Sequence, residues 1–173
     1  PADSFSIIRL KTGNSGSKAY ISGYEDGTFR PDSTITRAET AAIIARCSAD
    51  FDENKMYASD FTDVSDNEWY ANYVGYAAEK GYIHGYEGGP FKADIDITRG
   101  ELAVILSKYG SFDGDGICTE FSDVPNDYYA TEYIKALYDE NIVSGYEDGT
   151  FKPDNSVTRA EAVTMMNKVL DNP

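Results

Sequence analysis

The chain has 173 residues, 41% of them hydrophobic, and its 30 acidic against 15 basic residues give a formal net charge of −15. This length is enough for a core and allows one domain or two small ones. Such an acidic chain argues against DNA, RNA or an anionic bilayer as partner, because all three are bound by Lys and Arg that neutralise phosphate.

Further classes of segment and site are excluded by what the sequence lacks. It has no run of 18 apolar residues and no basic segment followed by an apolar one, so we expect neither a membrane span nor a signal peptide. It begins with Pro1, and we expect a mature piece or an excised region of a longer protein. One histidine, His84, and two cysteines, Cys47 and Cys118, exclude a His-rich zinc site and a CxxC pair. Whether the two cysteines pair with each other is left open.

Three similar segments organise the chain. They begin at Ile21, Ile83 and Val143, and they read ISGYEDGTFRPDSTITRAETAAIIARC, IHGYEGGPFKADIDITRGELAVILSKY and VSGYEDGTFKPDNSVTRAEAVTMMNKV. A second block precedes only the last two segments: FTDVSDNEWYANYVGYAAEKGY from Phe61 and FSDVPNDYYATEYIKALYDENI from Phe121. Repeats two and three are therefore complete, whereas repeat one has SFSIIRLKTGNSGSKAY in place of this block.

In chain order, the pattern predicts a short hairpin near the N-terminus and then two kinds of helix. The hairpin would pair residues 5–10 with residues 19–24 across KTGNSGSK, and it would fill the space of the missing block. The second block predicts a first helix over residues 68–80 and again over 127–140. Asp63 and Asp123 are interpreted as cap or Asx-turn residues before these helices. The repeated Thr-x-x-Glu predicts a capping box at the start of a second helix in each repeat, at Thr36, Thr98 and Thr158 with Glu39, Glu101 and Glu161.

The second helices carry inward positions at helical spacing, and facing helices would bury them in one shared core. Cys47 falls on this face, which predicts a buried apolar role for it. We therefore predict a compact, mainly α, pseudo-threefold body. The predicted inward positions are Thr40, Ile43, Ile44 and Cys47; Leu102, Ile105, Leu106 and Tyr109; and Ala162, Met165, Met166 and Val169.

Three arginines directly follow the cap threonines: Arg37, Arg99 and Arg159. A cation at this position opposes the helix macrodipole, at a cost of about 0.3–1 kcal/mol. An exposed helix start offers free backbone N–H groups, and with a guanidinium it would suit a carboxylate or phosphate. The alternative is that each arginine pairs with an Asp or Glu elsewhere in the chain.

Two aromatic residues share a position near the start of the first helices, Trp69 and Tyr129. A ring at the edge of a groove can stack on the apolar face of a sugar, and the alternative is an ordinary core aromatic. The acidic turns YEDGTF and FDGDGICTEFSD do not have EF-hand spacing, so we interpret them as solvated turns. No metal site, cofactor or catalytic constellation is predicted, and we expect no enzyme activity in these residues.

The strings GYEDGTFRPDSTITRAE, GYEGGPFKADIDITRGE and GYEDGTFKPDNSVTRAE, with the preceding F-x-D-V and Trp/Tyr blocks, closely resemble surface layer homology (SLH) domains. The resemblance covers about residues 19–170. It implies three repeats in a pseudo-threefold arrangement, with a central three-helix bundle and grooves between neighbouring repeats. We expect repeat one over residues 1–50, repeat two over 51–110 and repeat three over 111–173, together forming one domain.

The resemblance also implies a function, which is non-covalent anchoring of a surface protein on the wall of a bacterium, with a Gram-positive species expected. The implied partner is secondary cell wall polysaccharide with a pyruvylated amino sugar, bound by a module that is monomeric in isolation. The motif arginine would meet the ketal carboxylate beside an aromatic of the adjoining repeat. Carried over, this joins Arg37 with Trp69 and Arg99 with Tyr129, and it leaves Arg159 facing the repeat without a first helix. The alternative is a protein–protein self-assembly module of a surface layer.

Repeat two departs from the motif: Gly100 stands for Ala, Gly89-Pro90 for Gly-Thr and Ala93 for Pro. Gly100 is expected to weaken its helix start by up to about 1 kcal/mol. Pro90 is expected to change the turn that borders the groove. Because the chain is so acidic, an acidic glycan would have to bind through local contacts. Physiological salt would screen the more distant acidic residues, with a screening length of about 8 Å.

Overall fold

The computed structural model describes residues 20–114 and 120–172, and this part of the chain is mainly helical, as predicted. Its five helices are α1 (Arg37–Cys47), α2 (Ala71–Glu79), α3 (Arg99–Gly110), α4 (Thr131–Asp139) and α5 (Arg159–Asp171). Strand pairing among these residues is limited to three isolated bridges. No described helix is long and apolar enough to cross a membrane.

The predicted capping boxes are present at the starts of α1, α3 and α5. In α3, the Thr98 hydroxyl accepts from the backbone N–H of Glu101 at 3.2 Å, and the Glu101 carboxylate accepts from the N–H of Thr98 at 3.0 Å. Each box satisfies two backbone groups that a helix terminus otherwise leaves unpaired. The helix start is therefore determined locally by sequence.

The first helices are shorter than predicted and begin at Ala71 and Thr131. Their N-cap residues, Tyr70 and Ala130, form no side-chain capping bond. The residues before them form turns, in which the Glu68 N–H donates to Ser65 O at 3.0 Å. Helical spacing of apolar residues therefore predicted these helices, but it overestimated their length where no cap specifies the start.

A closed cycle of backbone hydrogen bonds joins the three repeats just before the capped helices. The N–H of Ile35 donates to the carbonyl oxygen of Val157, that of Val157 to Ile97, and that of Ile97 to Ile35. The N···O distance is 3.0 Å in each bond. All three residues are fully buried. The predicted pseudo-threefold arrangement is compatible with this cycle, because each repeat contributes the residue at the same position.

Each first helix packs on the capped helix of the preceding repeat. Helix α2 lies on α1 and α4 lies on α3, while α3 also contacts α5. Repeat one has no such block to cover α5, and there Tyr20 donates its hydroxyl to Asn167 at 2.6 Å. The first strand of the predicted hairpin, residues 5–10, lies outside the described residues, and residues 20–24 of its second part form no strand.

The predicted inward faces of the capped helices are confirmed except at Tyr109, which is half-buried. Cys47 is buried, as predicted, and burial raises the pKa of its thiol to about 12. Cys118 lies outside the described residues.

The residue that repeat two contributes to the central cycle provides a test of its importance. Ile97→Ala should lower the free energy of unfolding by about 2–5 kcal/mol, since it leaves a cavity where three repeats meet. Ile97→Val should cost only about 0.5–1.5 kcal/mol, and Val157 already fills the equivalent place in repeat three. Urea unfolding followed by circular dichroism measures both, and equal losses would contradict a tightly packed centre.

Candidate ligand-binding grooves

The motif arginine of each repeat is buried and enters a network formed by the next repeat. Arg37 is 6% exposed. Its Nε donates to the carbonyl oxygen of Phe91 at 2.9 Å and its Nη2 to that of His84 at 2.8 Å. Its Nη1 donates to the Glu101 carboxylate at 3.1 Å. This glutamate is also the capping residue of α3, so one carboxylate serves both a helix start and a contact between repeats.

The same network recurs at Arg99 and Arg159, which are 6% and 3% exposed. The arginine of each repeat thus pairs with the capping glutamate of the next, and the third pair closes on repeat one. The partners are Phe151 O (2.9 Å), Glu161 (3.2 Å) and Ser144 O (3.4 Å) for Arg99, and Phe29 O (3.0 Å), Glu39 (3.2 Å) and Ser22 O (2.7 Å) for Arg159.

The alternative interpretation of these arginines, pairing with an acidic residue elsewhere, is therefore confirmed. The expectation of an exposed helix start with free N–H groups is wrong. In α1, the N–H groups of Arg37 and Ala38 donate to the carbonyl oxygens of Ile95 and Ala93, both at 3.0 Å. Loops of the neighbouring repeat occupy the starts of α3 and α5 in the same way. A free helix terminus is consequently not part of the site.

Two aromatic rings enclose each guanidinium. The Cζ atom of Arg37 lies 4.6 Å from the ring centroids of both Tyr86 and Phe91. The Tyr86 hydroxyl also donates to Glu101. Burial, followed by this hydrogen bond, raises the pKa of Tyr86 to about 12, so the phenol remains protonated. Equivalent rings enclose the other two guanidiniums: Tyr146 and Phe151 at Arg99, and Tyr24 and Phe29 at Arg159.

A groove opens beside each of these networks, and we name each groove by its motif arginine. The Arg37 groove has a cavity volume of about 410 Å³. Its walls include the segment 82–86, α3 residues and the ring of Tyr129 from repeat three. The Arg159 groove, of about 190 Å³, is lined by segment 20–24, α1 residues including Arg46, and Trp69 of repeat two. The Arg99 groove, of about 300 Å³, is lined by segment 142–146 and α5 residues including Lys168.

The predicted pairing of arginines with aromatics is wrong by one repeat. Trp69 lies in the groove of Arg159 and Tyr129 in the groove of Arg37. The reason is that an arginine reaches into the groove of the next repeat, whose capped helix is flanked by the first helix of the repeat after that. We expected the groove of Arg159 to have no first-helix aromatic. Among the described residues, it is the groove of Arg99 that has none.

Both groove aromatics are exposed, which contradicts the interpretation of either as a core residue. Trp69 and Tyr129 are each 57% exposed, although they stand at a helix approach in a well-packed body. Large aromatic side chains left in solvent at the edge of a concave surface are common in binding sites.

The interpretation of Asp63 and Asp123 as local caps is also wrong. The Asp63 carboxylate accepts from the backbone N–H groups of Phe91 at 2.6 Å and Lys92 at 2.8 Å, and Asp123 does the same 60 residues later for the corresponding pair. Lys92 has a left-handed φ of 58°, a conformation that costs a side-chain-bearing residue about 1 kcal/mol. The aspartate thus joins the two blocks of a repeat and holds the loop that supplies a carbonyl to the motif arginine.

Gly100 has a packing reason that sequence analysis did not identify. A Cβ atom at this position would lie 2.7 Å from the Tyr128 hydroxyl and 3.2 Å from the Tyr129 hydroxyl. The missing methyl group makes room for both tyrosine hydroxyls, and Tyr129 is the one that lines the Arg37 groove. The turn at Pro90 keeps its closing bond, since Tyr86 N–H donates to Pro90 O at 2.8 Å. Its backbone nevertheless differs, because Gly88 has a φ of 88° whereas the equivalent Asp26 and Asp148 have no positive φ.

In the YEDGTF turns, the aspartate carboxylate accepts hydrogen bonds from its own turn. Asp26 accepts from the Thr28 N–H at 2.9 Å and from its hydroxyl at 2.6 Å. The Thr28 hydroxyl bond, followed by that of Arg30, lowers the pKa of Asp26 below its usual range. Within residues 20–114 and 120–172, no three His, Cys, Asp or Glu side chains are placed to hold a metal ion.

Sequence analysis missed His84, the tyrosine of the GY dipeptide, and the cations Arg46 and Lys168 as groove residues. A signal was available for the tyrosine, because it recurs as Tyr24, Tyr86 and Tyr146. The cations also recur, with Lys108 ten residues after Thr98. Their position on the groove side of each helix required knowledge of which repeats are neighbours.

Comparison with known proteins agrees with the repeat pattern. The family model described as S-layer homology domain matches residues 17–41, 60–103 and 120–163. Cell surface glycoprotein 1 of Acetivibrio thermocellus is 38% identical over 165 residues, which cover 89% of this chain and 7% of that protein. The Cellulosome-anchoring protein of the same organism is 35% identical over 170 residues, which cover 93% of this chain and 38% of that protein.

Enzymes are among the relatives, but the similarity covers little of them. The Amylopullulanase of Thermoanaerobacterium thermosulfurigenes is 30% identical over 162 residues, covering 90% of this chain and only 8% of that protein. The chain therefore spans well under half the length of the relatives that it matches.

Burial of the motif arginines changes the expected effect of replacing them. Arg99→Lys should lower the free energy of unfolding by about 2–4 kcal/mol, since an ammonium cannot reach Glu161 and two carbonyl oxygens together. The control is Arg30→Lys, at an exposed arginine paired with Asp26 and replaced by lysine in the other repeats; it should cost less than about 1 kcal/mol. Equal losses in urea unfolding would contradict a structural role for Arg99.

The capping glutamate predicts a specific loss of stability in acid. Burial opposes ionisation of Glu161, but hydrogen bonds from Thr158, the charge of Arg99 and the Tyr146 hydroxyl together lower the pKa of its carboxyl group. A lowered pKa in the folded state stabilises the protein above the unfolded pKa, and this stabilisation disappears as pH falls through the folded pKa. Glu161→Gln keeps the capping acceptor, so it should be less stable than the wild type near neutrality and approach it below about pH 4.

Thermal unfolding across this pH range measures the convergence. Glu147→Gln, at an exposed turn residue, is the control and should follow the wild type throughout. A constant difference between Glu161→Gln and the wild type at every pH would contradict the assignment.

Proposed function

The chain belongs to the S-layer homology domain family, and from this premise we propose that it anchors a surface protein non-covalently to a bacterial cell wall. The proposed ligand is an anionic wall polysaccharide, specifically a pyruvylated amino sugar in secondary cell wall polysaccharide. The proposed location is the surface of a Gram-positive bacterium. The names of two relatives, a cell surface glycoprotein and a cellulosome-anchoring protein, support this direction.

The observation that carries the proposal is the recurrence of one groove type, with an arginine in its floor and, in two cases, an exposed aromatic ring on its wall. A sugar has an apolar face that an aromatic ring can cover. Each motif arginine has two N–H groups beyond its three bonds within the protein, which leaves donors for a ligand carboxylate. The arginine thus has a structural role and a proposed binding role.

Two grooves are proposed to bind glycan in this way, the Arg37 groove with Tyr129 and the Arg159 groove with Trp69. Arg46 adds a second cation to the Arg159 groove, where its Nη2 donates to the Tyr73 hydroxyl at 3.3 Å. The Arg99 groove has Arg99 and Lys168 but no first-helix ring among the described residues, so we assign it a weaker contribution. Catalysis is not part of the proposal, because the grooves offer positioning and charge and no paired acid and base.

Binding to purified cell wall sacculi tests the proposal. The wild-type chain should cosediment with intact sacculi and remain in solution once the polysaccharide has been stripped. Trp69→Ala combined with Tyr129→Ala should weaken binding by at least about tenfold while leaving unfolding unchanged, because both rings are exposed. Met56→Ala, at a side chain that is 74% exposed and lies outside the grooves, is the matched control.

Equal sedimentation with intact and stripped sacculi would overturn glycan binding. Light scattering then distinguishes the alternative: concentration-dependent assembly in the absence of wall would favour a protein–protein module. A monomer that binds neither wall preparation would contradict both functions.

A further inference from the structure

His84 distinguishes the Arg37 groove from the other two. It is the only histidine of the chain, and serines occupy the same position in repeats one and three, as Ser22 and Ser144. All three residues offer their backbone carbonyl oxygen to a motif arginine, at 2.8 Å for His84. The structural role therefore belongs to the backbone, and the histidine side chain is free to serve another purpose.

The His84 ring lies at the groove mouth against a lysine. Its Nε2 is 2.7 Å from the Nζ of Lys108, which lies ten residues after the cap residue Thr98. An ammonium can only donate, so this contact is a hydrogen bond in the tautomer whose Nε2 accepts, which is the neutral ring with its proton on Nδ1. His84 lines the groove together with Arg37 and Tyr129.

The charged groups around the ring come from three helices. Arg37 of α1 donates to its backbone carbonyl, while Glu101 and Lys108 of α3 border the groove and the ring. The negative charge of Glu132 in α4 favours the charged form of Lys108. Partial burial, followed by the charge of Lys108, lowers the pKa of His84, and burial also lowers that of Lys108. The ammonium of Lys108 therefore disfavours the charged form of His84.

We propose that His84 contacts the anionic group of a ligand in the Arg37 groove and takes up a proton as that group binds. This inference rests on the proposed function, since it concerns the same anionic sugar. A carboxylate placed between the imidazole and the ammonium would turn a donor–acceptor pair into two cations sharing one anion. The Arg37 groove would therefore bind more tightly in mild acid, whereas the serine-containing grooves would not change.

Proton linkage gives the direction in which affinity changes with pH. If the ligand raises the pKa of His84, the complex holds more protons than the free chain, and affinity rises as pH falls between the two pKa values. A rise of one pKa unit corresponds to about tenfold in affinity. The ligand carboxyl group does not titrate in this range, because such acids ionise below about pH 4.

Proton NMR tests the inference, because the only histidine gives one assignable ring signal. The probe is the methyl glycoside of an N-acetylated amino sugar carrying a pyruvate ketal, with its methyl ester as the uncharged control. Saturation with the acid should raise the pKa of His84 and the ester should leave it unchanged. In His84→Ser, which keeps the backbone contact, the affinity of the Arg37 groove should lose its dependence on pH between about 7 and 5.5.

Trp69 fluorescence separates the two possible failures. If the acid changes the signal of Trp69 in the Arg159 groove but leaves the pKa of His84 unchanged, this inference is wrong and glycan binding stands. If neither group responds to the acid, both the inference and the proposed ligand class are wrong. If Ser144→His confers pH dependence on the Arg99 groove, where Lys168 is available, the inference is supported independently.

Discussion

The fold depends on a carboxylate that is shared between two tasks. In each repeat, the glutamate of the capping box accepts from the backbone of its own helix start and from the arginine of the preceding repeat. The same carboxylate therefore caps a helix and joins two repeats. An arginine beside a helix N-terminus is unfavourable for the macrodipole. Here that position becomes favourable because the next repeat supplies both the countercharge and the carbonyl acceptors.

This shared network also explains why the grooves lie where they do. The arginine enters from one repeat, the capped helix belongs to the next, and the aromatic wall comes from the one after. A groove of this kind cannot form within an isolated repeat. The acidic turns remain outside it, with their carboxylates held by their own backbone, so the net charge of −15 does not prevent the grooves from presenting cations.

The parts that sequence predicted well are those determined within a few residues. The capping boxes needed only Thr and Glu three residues apart, and the buried faces of α1, α3 and α5 needed only helical spacing. Apart from the overestimated length of the first helices, the errors concern contacts over longer separations. The partner of Asp63 lies 28 residues away, the wall of the Arg159 groove comes from Trp69, and Gly100 is explained by Tyr128. Neither periodicity nor a repeated motif states which repeat is the neighbour of which.

The closed backbone cycle of Ile35, Ile97 and Val157 has a consequence for how such a chain can change in evolution. Each member gives one N–H and receives one through its carbonyl, so deletion of a single repeat would leave a buried donor and a buried acceptor unmatched. A fourth repeat would find no unpaired donor or acceptor in this cycle. Open repeat arrays lengthen or shorten one unit at a time, because their ends are free. Here ring closure favours three repeats, because each backbone group of the cycle already has its partner.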